Sequence, residues 1–506
     1  MTDGSTEATS KWLVLAVIVM GTFVTVLNNS LINVALPKLT AVFGSTTEKI
    51  QWVLTGYMLA SALVVPPSAF LGDRYGYKKV FVGALTLFTL GSFLCGVAWN
   101  DTSLIVFRVL QGIGGGIVMP VSMVIIYRVI PRAEVGTAVG LWGVASMAAP
   151  AIGPTLGGYL VEIDWRLLFF IGVPIGLGAI FFSWILIQET PSNRELRWDL
   201  GGLVLSVTFF GSLLWALSRG QAEGWTSFFI VSLLFVAFCS LLLLIWVETG
   251  TERPLLELTL FTNPVFLLST LSSSFVMVGL YGGMFLLPLY LQNVQGLTPL
   301  AAGNLLMPQS IAMALAMPIS GKLFDKIGVV PLGLVGLGLV GITTYELHLL
   351  TTDTPFSWLD EVLILRGLGL GLCLMPLTTA GMNAVAPAMT GRASALGNVT
   401  RNVFGTMGIA LFTTMLTDRQ AFHNVRIAES LTVGSDVAQQ ALNMLSGGLV
   451  MLGGDGFNSS GGAGYVLSMM MAKEALSRAV ADTFFASALP MFLALLVVPL
   501  LRKGKV

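Results

Sequence analysis

The chain has 506 residues, of which 55% are hydrophobic and only 10% charged, against about 25% charged in a typical soluble domain. Its 26 basic and 26 acidic residues cancel, which points to neither nucleic acid nor an acidic partner. A set of soluble domains is thereby excluded, and an all-α polytopic membrane protein is indicated.

Apolar runs of about 18 residues or more recur from end to end, each long enough as a helix to cross roughly 30 Å of hydrocarbon. Uninterrupted runs of this length select helices over a barrel. In chain order, fourteen spans are expected at 12–37, 50–71, 80–100, 103–128, 135–161, 168–187, 200–218, 227–247, 264–290, 300–321, 330–350, 359–383, 393–416 and 481–501. The first is no cleavable signal peptide, because it starts behind a tail with one lysine, exceeds the usual h-region and precedes no A-x-A-like site. Cys95, Cys239 and Cys373 fall inside separate runs and read as free thiols.

Span one carries "VTVLNNSLINVALP", with three amides and no charge. Asn29 and Asn33 are i and i+4 and share a face, while Asn28 points about 100° from Asn29. Such groups are costly in lipid and suit a span wedged between a cavity and a neighbour. Interhelical amide bonding accounts for them equally. After span two comes "AFLGDRYGYKK". Its Gly76 makes a tight turn, and Asp73, Arg74 and Lys78 can bridge helix ends by charge-assisted bonds. In span four, "FRVLQGIGGG" places Arg108 roughly 8 Å from the end of the helix, and Asn28 lies roughly 13 Å deep in span one, at 1.5 Å per residue. A long arginine bridges that one-turn difference, and Gln111 stands one turn below Arg108; a snorkelling Arg108 is the structural alternative. In span five, Ala149, Gly153 and Gly157 line one face and Pro150 and Pro154 bend the helix, in the manner of close helix packing.

Spans seven and eight sit between charged or Pro-containing stretches, 188–199 and 248–263, and read as an insert. After span ten, "GKLFDKIG" repeats acid, base, one residue, glycine, so that Asp325, Lys326 and Gly328 match Asp73, Arg74 and Gly76. In span twelve "LRGLGLGL" echoes span four, Arg366 matching Arg108. Two landmarks in the same order imply duplicated halves: 1–187, the inserted region 188–263, and 264–506. Candidate pocket residues are Tyr57, Trp142, Tyr281, Tyr290, Gln292 and Asn293, since aromatic and amide groups suit a loosely specific amphipathic pocket. Glu346, near one end of span eleven, is the best remaining titratable candidate, although an interfacial solvated glutamate explains it as well. The segment 417–480 has a Gly/Ser-rich centre between two helix-like stretches and reads as a flexible loop, a hairpin over the exit, or a contact for a periplasmic adaptor protein.

Lys and Arg set the orientation. The connections on the side of the termini hold fifteen: Lys11; Arg74, Lys78, Lys79; Arg128, Arg132; Arg194, Arg197; Arg253; Lys322, Lys326; Arg392; Arg502, Lys503 and Lys505. The opposite short loops hold four: Lys38, Lys49, Arg166 and Arg219. Both termini are therefore expected in the cytoplasm, with 417–480 outside a plasma or inner membrane.

Taken as a set, "FLGDRYGYKK", "RVLQGIGGG" and "AAPAIGPTLGG" resemble the cytoplasmic-loop, fourth-span and antiporter fifth-span signatures of the major facilitator superfamily. With fourteen spans, the chain resembles the drug/proton antiporter branch typified by EmrB and QacA over nearly its whole length. The resemblance implies two six-helix halves plus two inserted spans, a cytoplasmic latch at Asp73 and Asp325, a leak-limiting bend at Gly153, Pro154 and Gly157, and export of small amphipathic compounds, with no cofactor. The chain departs from the family pattern at Ala69 and Tyr77, where glycine and a base are usual, implying a weaker latch. It departs again at Asn28, where the usual "LDxT" has the aspartate thought to carry the driving proton. The resemblance thus transfers the transport class without the proton-coupling residue. A lipid or amphiphile facilitator or flippase on the same fold, and a non-transporting scaffold or receptor, remain as alternatives. An enzyme would need a catalytic cluster, and neither His348 nor His423 belongs to one.

Overall fold

The computed structural model describes residues 3–131, 134–193, 199–251, 254–430, 436–451 and 456–503. Arg132, Arg194, Arg197, Arg253 and Lys505 lie outside them, and the side chains of Asn33 and Pro154 are likewise not described. Helices stand at all fourteen expected positions: α1 (Asp3–Phe43), α2 (Thr47–Tyr75), α3 (Tyr77–Gly96), α4 (Asp101–Val129), α5 (Val135–Ile163), the broken pair α6 (Leu167–Phe170) and α7 (Gly172–Leu186), α8 (Leu200–Glu223), α9 (Phe228–Gly250), α10 (Pro264–Asn293), α11 (Pro299–Ile327), α12 (Val329–Glu346), α13 (Phe356–Asn383), α14 (Thr390–Ser430) and α16 (Gly456–Val497), with α15 (Asp436–Met451) between the last two. Among the described residues, twelve helices are long and apolar enough to cross a membrane. Neither α5 nor α14 is among them; α14 carries Arg392, Asn398, Arg401 and Asn402 in its first four turns.

Local chemistry fixes many helix starts. Thr46, Asp199, Ser227, Asn263 and Thr298 cap α2, α8, α9, α10 and α11 by accepting bonds from backbone N–H groups of the first turn, and Asn100 with Ser103 forms a reciprocal capping box on α4. The two D-[RK]-x-G stretches act alike: Gly76 at φ +92° separates α2 from α3, and Gly328 at φ +79° separates α11 from α12. Only glycine adopts such angles without strain.

Packing follows a repeated scheme. In the first half α2 and α3 pack on α4, and α1 on α5 and α7; in the second α11 and α12 pack on α13, and α10 on α14 and α16. The apolar stretches of α4 and α13 are 78% and 72% buried, against 22% for α9, which places the former at the centre and the latter on the rim. Helices α8 and α9 pack on each other, and α8 also touches both α2 and α14. Trp52 of α2 meets Trp215 of α8 edge to face at 5.6 Å, and Trp225, just after α8, donates to the Thr414 hydroxyl of α14 at 2.8 Å.

The halves join along α5/α11 and where α2 and α4 meet α14. The closest approaches lie at the end bearing Asp73 and Asp325, called here the motif end. A Cβ added to Gly321 would stand 2.2 Å from the Gly136 carbonyl oxygen, and one on Gly140 2.7 Å from that of Met317. The Ser394 hydroxyl of α14 donates to the Pro120 carbonyl of α4 at 3.2 Å.

The segment 417–480 differs from a Gly/Ser-rich loop. Its described residues are helical: α14 runs on without a break to Ser430, and α16 begins at Gly456. At 41 residues, α14 is about 60 Å long, twice the hydrocarbon thickness. Alanine, methionine and glutamine in these stretches favour helix, and α15 packs on α16. Helices α14 and α16 are pinned where Asp482 accepts bonds from Arg419 at 2.6 Å and His423 at 2.8 Å.

Candidate functional site: two buried arginines and a polar latch

Glycine places Arg108. Cβ atoms on Gly112, Gly114 and Gly116 would lie 2.6, 2.5 and 2.3 Å from backbone atoms of Tyr57, Phe88 and Ser61 respectively. Helix α4 therefore lies almost backbone to backbone with α2 and α3, and Arg108, one turn before this run, is fully buried. A buried guanidinium needs its donors satisfied. Its Nε donates to the Val53 carbonyl at 3.0 Å, and Nη1 donates to Asn28 Oδ1 at 3.0 Å and to Gln111 Oε1 at 2.6 Å. A longer contact at 3.5 Å joins Nη2 to Asn29. The Tyr57 ring stacks on the guanidinium with its centroid 4.2 Å away. Gln111 Nε2 donates in turn to Asn28 Oδ1 at 3.0 Å, and Asn28 Nδ2 to the Leu168 carbonyl at 3.2 Å.

This cluster answers why span one carries an amide. Asn28 accepts from two donors and gives one bond to a carbonyl; a carboxylate keeps the acceptors and loses the donor. Among the described residues no carboxylate pairs with Arg108, so its charge is met by dipoles and a ring alone. In the second half Arg366, also fully buried, donates to Thr344 Oγ1 at 3.2 Å, Gln309 Oε1 at 3.3 Å and the Gly279 carbonyl at 2.9 Å. The matched arginines are held in the same manner.

A second polar site closes the motif end. Asp73 accepts from the Tyr77 hydroxyl at 2.9 Å and faces Arg128 at 3.9 Å, while the Arg128 guanidinium lies 4.4 Å from the centre of the Tyr77 ring. A Cβ on Gly391, in the first turn of α14, would meet the Tyr77 hydroxyl at 2.0 Å. Tyr77, expected from the family pattern to weaken the latch, is buried at its centre and joins the acid to the other half. Arg74 stacks on the neighbouring Tyr75, and Lys78 approaches the Trp184 ring. Across the bundle the exposed Asp325 accepts from Thr137 of α5 at 3.4 Å, and Lys326 is exposed.

The remaining candidates are dispersed. Trp142 donates to Thr22 at 3.0 Å, joining α5 to α1. Cβ atoms on Gly153 and Gly157 would meet Ser30 and the Leu31 carbonyl of α1 at 2.1 and 2.9 Å, so this small-residue face packs within the first half; α5 meets α11 through Gly136 and Gly140 instead. Tyr290 is fully buried and donates to the Thr351 carbonyl at 2.6 Å, Gln292 and Asn293 are exposed at the end of α10, and the half-buried Glu346 ends α12. None of these joins the Arg108 cluster. Tyr281 packs on Gly405 of α14 and, with Tyr127, is an ionisable neighbour of Arg401. Sequence reasoning missed Arg401, although an arginine inside an apolar span is itself the signal.

Comparison with known proteins agrees with this geometry. The family described as Major Facilitator Superfamily matches residues 18–409. The chain is 37% identical over 424 residues to the uncharacterized MFS-type transporter YhcA of Bacillus subtilis, covering 84% of this chain and 80% of that protein. It is 31% identical over 433 residues to the multidrug export protein EmrB of Escherichia coli, covering 85% and 84% respectively. The solved structure of the proton:xylose symporter XylE superposes with a TM-score of 0.60 at 14% identity, covering 96% of each chain, which shows the shared fold. The matched arginines, the repeated packing scheme and these likenesses together establish that the chain belongs to the major facilitator superfamily and is a multi-pass membrane transporter, not an enzyme.

Proposed function

We propose that the protein exports small amphipathic compounds by alternating access. Its halves, 1–187 and 264–506, rock about the level of Arg108 and Arg366 while the pair inserted in 188–263 stays at the rim. The observation that carries this reading is the polar latch at the motif end: Asp73, Tyr77 and Arg128 of one half receive the first turn of α14 from the other, a contact that has a purpose only if it also breaks. On this reading there are fourteen crossings, both termini and the motif end face the cytoplasm, and the structure is closed on that side. The extension built from α14, α15 and α16 then stands outside the membrane, where it offers a surface to an adaptor protein. The likeness to the multidrug export protein EmrB supports the substrate class.

One observation favours a second reading, movement of amphiphiles or lipids down their gradient without proton coupling: the site around Asn28 and Arg108 holds no titratable acid among the described residues. Reconstitution in liposomes, with dye or lipid movement followed in the presence and absence of a pH gradient, separates the two. Export coupled to protons gives rates that rise with the gradient; a facilitator gives rates blind to it. An Asn28→Asp variant that gains gradient sensitivity places the coupling position in span one. If neither protein moves any tested compound, the export reading fails.

A further inference from the structure

A cavity lies where α4, α10, α13 and α14 converge toward the motif end, lined by Met123, Phe266, Ser269, Thr270, Thr378 and Arg401 among others. Among the described residues the Arg401 guanidinium has no hydrogen-bonding or ion-pair partner, and the ionisable groups beside it are the phenols of Tyr127 and Tyr281, with no acid. Ser269 is 1% exposed and its hydroxyl, which faces the same space, also lacks a partner. A buried hydroxyl without a partner is costly and calls for a water, ion or ligand to satisfy it, and the half-buried Arg401 guanidinium lines the same space. Glycine keeps the space clear: a Cβ on Gly381 would sit 3.1 Å from that of Ser269, and one on Gly397 3.3 Å from Arg401 Nη1. The wider field has the same sign. Arg108, Arg366 and Arg401 bring three guanidinium charges into the bundle, and among the described residues none of the three has a carboxylate partner, so the potential there attracts anions.

We propose that this cavity receives the acid group of an anionic amphiphile, a carboxylate, sulfonate or phosphate that accepts from Arg401 and Ser269 while its apolar body lies against Met123 and Phe266. The inference rests on the transport reading only for the idea that the cavity widens as the motif end opens. As it stands the cavity has ≈ 10 Å³ of free space, about one water molecule, so the amphiphile's body enters only as the cavity widens.

The test is equilibrium binding to the full-length protein in neutral detergent, read by fluorescence, with anthracene carboxylate and anthracenylmethyl trimethylammonium as probes of matched body and opposite charge. The wild type should prefer the anion. Arg401→Gln should weaken the anion by about 10- to 100-fold, the range for a lost charge-assisted bond, and leave the cation within about threefold. Should Arg401→Gln not fold, Ser269→Ala should weaken the anion alone by about fivefold, one neutral hydrogen bond. Competition by phosphatidylglycerol assigns the site to a lipid headgroup, and absence of competition to a soluble amphiphile; both uphold an acid-binding site. A wild type that prefers the cation, or an anion affinity blind to both substitutions, overturns the proposal. Because binding needs no transport, loss of dye movement with intact anion binding would refute the export reading and leave this site standing.

Discussion

Replacing Asn28 by leucine tests whether the amide cluster holds the first half together. The substitution keeps the branched shape and the number of side-chain heavy atoms, so it opens no cavity, and the cost counted here is polar. Arg108 loses the acceptor at 3.0 Å, Gln111 loses another at 3.0 Å, and the Leu168 carbonyl loses its donor at 3.2 Å. A bond to a charged group is worth about 1.5–3 kcal/mol and a neutral one about 1 kcal/mol. Arg108 keeps Val53 and Gln111 as acceptors, so the guanidinium is not orphaned, and the total comes to about 3–5 kcal/mol. For a cooperative unit of the size of one half, about 3 °C per kcal/mol applies, giving a fall in melting temperature of roughly 10 °C by scanning fluorimetry in detergent. Asn28→Asp should fall by less, since it keeps both accepted bonds. A shift below about 2 °C for Asn28→Leu would refute the argument, because it would mean that Arg108 reaches solvent and does not depend on span one.

Tyr77→Phe removes the hydroxyl that donates to Asp73 but keeps the ring under Arg128. It should shift the equilibrium toward opening at the motif end by about fivefold, the equivalent of about 1 kcal/mol, read as modification of a cysteine placed at Ser394, which is buried where α14 meets α4, with Asp73→Asn behaving alike. Gly321→Leu cannot fit where the Gly136 backbone lies against it; closure at the motif end should fail and transport should fall to background while the protein still inserts, with a cross-link between the motif-end turns of α5 and α11 as readout. Trp215→Ala removes the contact between α8 and Trp52 and should lower the melting temperature by a few degrees, as expected for an aromatic pair worth about 1 kcal/mol beyond its buried area.

What the sequence made legible was depth and order. Helical rise fixes how far Asn28 and Arg108 lie from their span ends, so their meeting could be foreseen from numbering alone, and Gln111 follows one turn away. Direction was less legible. Nothing in the spacing of Gly153 and Gly157 says that they face α1, or that Gly136 and Gly140 face α11, because both sets are small-residue faces on one helix and only tertiary packing chooses their neighbours. Tyr290 looked like a pocket aromatic, yet its hydroxyl is taken by a loop carbonyl more than sixty residues away. In 417–480 the glycines and serines masked a composition that becomes helical once α14 and α16 extend it from the membrane. Tyr77 was judged by departure from a pattern, whereas its role depends on the backbone of Gly391 in the other half.

The position of α8 bears on how the seam between the halves is sealed toward the lipid. By lying across α2 and α14, with Trp215 and Trp225 fastened to one helix each, it shutters the groove between the halves on that flank, so that acyl chains meet protein there and not an open cleft. On the opposite flank the halves meet directly along α5 and α11, with Gly136 and Gly140 against Gly321 and Met317, so the two seams are sealed by different means, one by an inserted helix and the other by backbone against backbone.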